Sequence, residues 1–196
     1  MHPALERLPR GWFHHGEQVL ALVEQHRPRI VVELGTHDGA SATAMARVMA
    51  AWGGVIYCVD TWCGVPKPGR GLSPLRIFQC AHNLRVAGVS PRVRLIPATT
   101  ADAAESWGGP VIDFLYVDAD HSYAGVKQDL ALWVPHVRPG GLIAGDDYDH
   151  PKYPGVNQAW DEFEATRGIP LTRVLSPQTT PPNMRLVYGT LPMKEN

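Results

Sequence analysis

Phe114-Leu115-Tyr116-Val117 runs directly into Asp118-Ala119-Asp120-His121, an apolar stretch that ends in acids. Four consecutive apolar residues suit a strand buried on both faces, the kind found in parallel sheets covered by helices. A second stretch repeats the pattern, with Gly141-Leu142-Ile143-Ala144 leading into Gly145-Asp146-Asp147-Tyr148. If the two are neighbouring parallel strands, their acids gather at one carboxyl edge, where open α/β sheets bind ligands. Like charges drawn together out of water are costly unless a cation neutralises them. The acids therefore point to a hard metal ion in an active site.

Working outward, strand-like and helix-like segments alternate. Ile30 to Leu34 and Val55 to Val59 are β-branched runs, the second ending at Asp60, and Val93 to Ile96 forms a third strand. Val111 to Val117 is the fourth. Pro139-Gly140-Gly141 turns into a fifth, Leu142 to Ala144, and Leu171 to Leu175 and Met184 to Tyr188 are the last two. The Pro- and Thr-rich stretch Ser176 to Asn183 between them suits an antiparallel return.

Helices are predicted over Glu17 to His26, Ser41 to Ala51, Pro74 to Ala87, Thr99 to Trp107, Ser122 to Val134 and Asn157 to Thr166. The first has an apolar face of Val19, Leu20, Leu22 and Val23 and stops at Pro28. The second has the Ala- and Met-rich character of a closely packed helix and ends at Gly53-Gly54. The first 14 residues, with Pro3, Pro9 and the His14-His15 pair, read as an irregular lead-in. Thr61 to Ser73, carrying Lys67 and Arg70, is a long loop: either a mobile lid or a surface connection. The alternation indicates one doubly wound α/β domain over residues 1–196, with a mostly parallel sheet and an antiparallel last strand.

Composition narrows the function classes. At 196 residues, 44% hydrophobic and 19% charged, the chain resembles an ordinary soluble globular protein. A formal net charge of −1 without a Lys/Arg block argues against a nucleic-acid surface. No apolar stretch reaches the roughly 18 residues that span a bilayer, and the N-terminus lacks a signal-like apolar core. Cys58, Cys63 and Cys80 have no metal-finger spacing and read as reduced thiols, which suits a cytoplasmic protein.

Glu33-Leu34-Gly35-Thr36-His37-Asp38-Gly39 lies between the first strand and the next helix, where glycines let a ligand approach the backbone. It lacks the G-x-G-x-x-G spacing of a dinucleotide loop. An acid ahead of the loop suits a ligand with cationic groups, such as the amine and sulfonium of S-adenosylmethionine. Asp60 stands where such folds hydrogen-bond a ribose diol. The plainer reading is a structural turn with a solvated Asp.

The stretches Glu33 to Ala42, Val59 to Trp62, Asp113 to Leu130 and Gly140 to Tyr148 together resemble class I S-adenosylmethionine-dependent methyltransferases, which are Rossmann-like. More narrowly, they are similar to the small metal-dependent O-methyltransferases that modify sugar hydroxyls on macrolides and polysaccharides. The resemblance covers roughly residues 30 to 165 and implies donor binding by Glu33, Gly35, Thr36, His37, Gly39, Ser41, Asp60, Thr61, Trp62, Thr99 and Asp118. Glu33 and Gly35 would meet the methionine part, Asp60 the ribose, and Ala98 to Thr100 the adenine. His37 stands where many such enzymes have glycine.

The same resemblance makes Asp118, Asp146 and Asp147 the carboxylate ligands of Mg²⁺, with Mn²⁺ suited to the same set. It makes His121 the base that takes the acceptor's proton. Asp120 or Ser122 would cap the following helix. Tyr148, Asp149 and His150 belong either to the substrate site or to a surface loop, and Lys127 and Asp129 to a solvated or paired helix face. Trp62 is placed to border the donor, and Trp107, Trp133 and Trp160 the core. The implied reaction is methyl transfer to a sugar or polyol hydroxyl in a glycoside or polysaccharide. The implied partner is a small-molecule or glycan acceptor; composition argues against nucleic acid and membrane, and the short lead-in, with little to cover an acceptor site, leads to the expectation of a homo-oligomer. Three other readings stay open: a catechol-like acceptor, the oxygenase chemistry for which some relatives are labelled, and a non-catalytic donor-binding module. The oxygenase would need redox iron with histidine ligands, whereas these are carboxylates.

Overall fold

The β-branched runs find one another in the computed structural model, which describes residues 1–9, 11, 13–63, 75–176 and 183–193. The strands are β1 (Ile30–Leu34), β2 (Val55–Asp60), β3 (Val93–Pro97), β4 (Ile112–Val117), β5 (Val137–Tyr148), β6 (Thr172–Leu175) and β7 (Arg185–Thr190). They form a seven-stranded sheet in the order β3-β2-β1-β4-β5-β7-β6. β1 to β5 pair in parallel, and β7 runs antiparallel to both β5 and β6. This is the doubly wound α/β sheet with a reversed last strand that the alternation implied.

The helices are α1 (Gly16–His26), α2 (Ala40–Met49), α3 (Leu75–Val86), α4 (Thr100–Glu105), α5 (Tyr123–Trp133) and α6 (Pro154–Arg167). Strand side chains alternate between faces, so each face of the sheet builds its own core. Val31, Phe114, Tyr116, Leu142 and Ala144 pack with apolar residues of α1, α2 and α3. Val32, Leu34, Leu115, Val117 and Ile143 pack with those of α4, α5 and α6. The small side chains of α2 let it lie close: Ala42, Ala44, Met45, Ala46 and Met49 have no exposure. Each large apolar side chain so buried contributes about 1.5–3 kcal/mol.

Several boundaries differ from the sequence reading. α6 begins at Pro154 rather than Asn157, because proline fits the first helical turn, where its missing N–H is not needed. β5 is far longer than Leu142 to Ala144. Its pairing jumps from Ile112↔Val137 to Phe114↔Leu142, so the Pro139-Gly140-Gly141 segment bulges within the strand instead of preceding it. Trp133 and Trp160 are buried in the core as expected, and Trp107 packs edge-on against Tyr57 and Trp133. Cys58, Cys63 and Cys80 are free thiols. Among the described residues, no helix is long and apolar enough to cross a membrane. Most of the Thr61 to Ser73 loop and of the Ser176 to Asn183 turn lies outside the described residues.

Candidate functional site

Strand order reverses between β1 and β4, which are hydrogen-bonded neighbours. The crevice beyond their carboxyl ends is where an open sheet accepts a ligand. The ends are laced together: Asp118 N–H donates to the Leu34 carbonyl of β1 at 2.9 Å, and Gly35 N–H to the Val59 carbonyl of β2 at 2.9 Å. Gly35 has φ +87°, and a Cβ at that position would run into the Asp118 carbonyl. Only glycine satisfies both constraints. Gly39, at φ +86°, starts α2 without a side-chain cap, so the first N–H groups of that helix have no intrahelical acceptor.

Glu33 sits underneath this loop with no exposure. Thr36 Oγ1 donates to one carboxylate oxygen at 2.8 Å, Ser41 Oγ donates to the other, and Cys58 Sγ approaches at 3.6 Å. Burial pushes the Glu33 carboxyl up to about 7, although the three hydrogen bonds favour its charged form. Asp60, at the end of β2, accepts from His37 N–H at 2.8 Å and Trp62 N–H at 2.7 Å. The Trp62 indole, 1% exposed, lies in the core and donates to the His37 carbonyl at 2.8 Å. His37 also meets Arg76. Thr99 caps α4 by accepting from Asp102 N–H at 3.0 Å, and Thr61 Oγ1 accepts from Cys63 N–H at 3.3 Å. Glu33, Thr36, His37, Ser41, Asp60 and Trp62 thus meet around one loop, while Thr61 and Thr99 make local contacts of their own. Glu33, Thr36, Ser41 and Trp62, however, brace it from inside.

The acid clusters converge from β4 and β5, but not as three equivalent carboxylates. Ligand atoms of Asp118, His121 and Asp147 all lie within 4.8 Å of one another. His121 Nδ1 is 2.9 Å from Asp147 Oδ2, and its ring stacks on Tyr153 at 4.6 Å between centroids. On Tyr153 there also stacks His150, at 4.3 Å. Asp146 is turned to a different set. Its Oδ1 lies 2.6 Å from His15 Nδ1 and accepts from Asp147 N–H at 2.7 Å, while Oδ2 accepts from Tyr116 Oη at 3.1 Å. The cause is local. Adjacent strand residues face opposite ways, and the β5–β7 register shifts between Gly145 and Tyr148, with Asp147 at φ +60°.

The remaining residues fall out plainly. Asp120 accepts from Ser122 N–H at 2.9 Å, and Ser122 caps α5 by accepting from Gly125 N–H at 3.0 Å, the structural role expected of this pair. Tyr148 is buried and donates to Asp161 at 2.8 Å. Asp149 pairs with Arg185 and Asn157. Lys127 pairs with Glu162 at 2.8 Å. Asp129 is not solvated: it is 1% exposed, and its Oδ2 has no hydrogen-bond partner among the described residues.

Electrostatics distinguishes the acids. Burial and the charges of Asp146 and Asp147 push the half-buried Asp118 well above the usual carboxylate range. Burial would raise Asp146 too, but the hydrogen bond and charge of His15 hold it below that range. His15 Nε2 lies 3.2 Å from the Met184 carbonyl. Both ring nitrogens therefore face acceptors, and a proton on each satisfies them. His15 is accordingly raised: burial opposes its charge, and Asp146 outweighs that. In His121, burial is likewise outweighed by the hydrogen bond to Asp147 and nearby acid charges, and its pKa rises. The Asp118 and Asp147 carboxylates at this spacing, set among like charges, fit a divalent cation, with the His121 imidazole beside them.

Sequence reasoning missed His15, Tyr116 and Tyr153. Tyr116 was within reach, since period-two alternation puts it on the same strand face as Asp118. His15 carried no local signal.

A family model described as a methyltransferase domain matches residues 32–148. An uncharacterised protein, y4gI of Sinorhizobium fredii, is 33% identical over 160 residues, 80% of this chain. A second, R132 of Acanthamoeba polyphaga mimivirus, is 34% identical over 64 residues, 30% of this chain. The chain spans 17% and 29% of the lengths of these two relatives. Among solved structures, an O-methyltransferase of Bacillus cereus in complex with SAH superposes with a TM-score of 0.72 at 19% identity, covering 97% of this chain and 91% of that one. The O-methyltransferase TomG of Streptomyces achromogenes, involved in tomaymycin synthesis and solved with SAM, gives 0.73 at 16% identity, covering 97% and 91%. At these identities the likeness is one of fold.

Proposed function

The chain belongs to the methyltransferase-domain family, and from that premise we propose that it methylates a hydroxyl of a sugar or polyol in a glycoside or polysaccharide. The donor in this reading is S-adenosylmethionine, and the acid cluster holds Mg²⁺, or Mn²⁺ in its place. One observation carries the reading: across the β1/β4 switch point a glycine loop adjoins an acid and imidazole cluster whose ligand atoms lie within 4.8 Å. The structural neighbours solved with SAM and SAH support the choice of donor.

When bound, the donor supplies an electrophilic methyl group and the cation a seat for two vicinal oxygens of the acceptor. The chain's own groups supply alignment and proton transfer. Asp118 and Asp147 are the principal ligands, with Asp146 beside them. His121 takes the hydroxyl proton at Nε2, because Asp147 engages Nδ1 and Tyr153 holds the ring plane. Asp60, fixed by the amides of His37 and Trp62, keeps lone pairs for the ribose diol. Glu33 stiffens the loop that Gly35, His37 and Gly39 present to the methionine part, and Thr61 and Thr99 border the nucleoside.

The test is transfer of a labelled methyl group to a panel of glycosides and catechols, with Mg²⁺ and with EDTA. Labelling of a glycoside that EDTA abolishes and Mg²⁺ restores is the expected result. Transfer that EDTA leaves untouched would sink the cation, and transfer to catechols alone would move the acceptor class. The reading also includes a cytoplasmic setting, no nucleic-acid partner and a homo-oligomer, the last checked by light scattering.

A further inference from the structure

We propose that His15 is a positioning residue for the acid cluster, acting through Asp146; this rests on the cation-dependent reading above. His15 precedes α1, 131 residues from Asp146 in sequence, and its side chain is wholly buried. Its ring is pinned at both ends, by Asp146 Oδ1 at 2.6 Å and by the Met184 carbonyl at 3.2 Å. It thereby ties the end of β5 to the residue ahead of β7.

The consequence passes to Asp147. That residue has φ +60°, a left-handed conformation that Asp tolerates better than most non-glycine residues and that sets the direction of its side chain. Its N–H donates to Asp146 Oδ1 at 2.7 Å, the same oxygen that meets His15, and its carbonyl accepts from His150 N–H at 3.0 Å. Asp147 then reaches His121 at 2.9 Å. A chain of contacts therefore runs from His15 through Asp146 and Asp147 to His121, hydrogen bonds as far as Asp147 and an ion-pair contact beyond it. Tyr116 Oη, on the second Asp146 oxygen at 3.1 Å, supports the carboxylate from the opposite side. Loss of His15 leaves Tyr116 as the remaining side-chain support of Asp146 and loosens the acceptor that Asp147 N–H uses.

The experiment compares wild type, His15→Ala and His15→Gln by Mn²⁺ titration read by electron paramagnetic resonance. S-adenosylhomocysteine binding and thermal unfolding are measured on the same samples. His15→Ala should weaken Mn²⁺ binding on the order of 10- to 100-fold, the usual cost of losing a ligand-orienting partner, and leave S-adenosylhomocysteine affinity within about twofold. His15→Gln, whose amide still donates, should recover part of the loss. Tyr116→Phe provides a second route to a loosened Asp146 if His15→Ala does not fold, and should weaken Mn²⁺ in the same direction. Folded variants that bind Mn²⁺ as tightly as wild type would overturn the inference. A wild type that binds no Mn²⁺ would instead overturn the cation reading itself.

Discussion

Replacing Glu33 by Gln should make the protein less sensitive to alkaline pH. The carboxyl lies with no exposure beneath the glycine loop, and its pKa is lifted from 4.5 to about 7, chiefly by burial. An acid whose folded pKa is raised binds more protons folded than unfolded between those two values. Its stabilising contribution is full below 4.5 and is lost as pH rises through about 7. At about 1.4 kcal/mol per tenfold change in proton affinity, that gap amounts to roughly 3 kcal/mol, most of it lost between pH 5 and 8. Gln keeps the shape and offers an oxygen to Thr36 or Ser41, while the other hydroxyl can turn to accept from its amide. The assay is urea unfolding of both proteins at pH 5 and pH 8. The wild-type-minus-variant difference should fall by about 2–3 kcal/mol across the range, which cancels the histidine titrations common to both. Parallel stability curves would refute the argument, because they would mean that the carboxyl ionises as freely folded as unfolded.

Other predictions follow from the same geometry. His121→Ala should lower turnover by about 10²- to 10⁴-fold, the usual worth of a general base, with Mn²⁺ affinity much less affected; steady-state kinetics beside an Mn²⁺ titration reads both. Gly35→Ala should cost at least about 1–2 kcal/mol in urea unfolding from the left-handed backbone alone, with the clash against Asp118 added. Asp129→Asn should stabilise the protein at pH 8 by up to about 3 kcal/mol, since burial raises this carboxyl to about 6 and its stabilising contribution is lost as pH climbs from 3.8 through that value. The gain should vanish below pH 4 in the same unfolding assay.

Much of the architecture was legible because it depends on local periodicity. Ile30 to Leu34 reads as a buried strand from its β-branched content, and β1 spans those residues. Once strands and helices alternate, the parallel order follows, and it carries the acids after Phe114 to Val117 and after Leu142 to Ala144 to one edge. Those acids and the glycine loop could therefore be named from residue types and spacing, and His121 from the family resemblance.

Which oxygen faces which partner depends on contacts remote in sequence. Asp146 and Asp147 are chemically identical neighbours that alternation along the strand turns opposite ways, and the register shift against β7 and the arrival of His15, 131 residues away, decide which partner each one meets. Glu33 and Asp60 both follow apolar runs, yet three hydrogen-bonding side chains close over Glu33 while backbone amides hold Asp60. The sequence by itself determined the sheet, the edge and the kinds of groups that gather there, because those follow from period, branching and turn chemistry. Only the tertiary structure decided the division between ligand, brace and base, because hydrogen-bond partners are chosen by proximity in space.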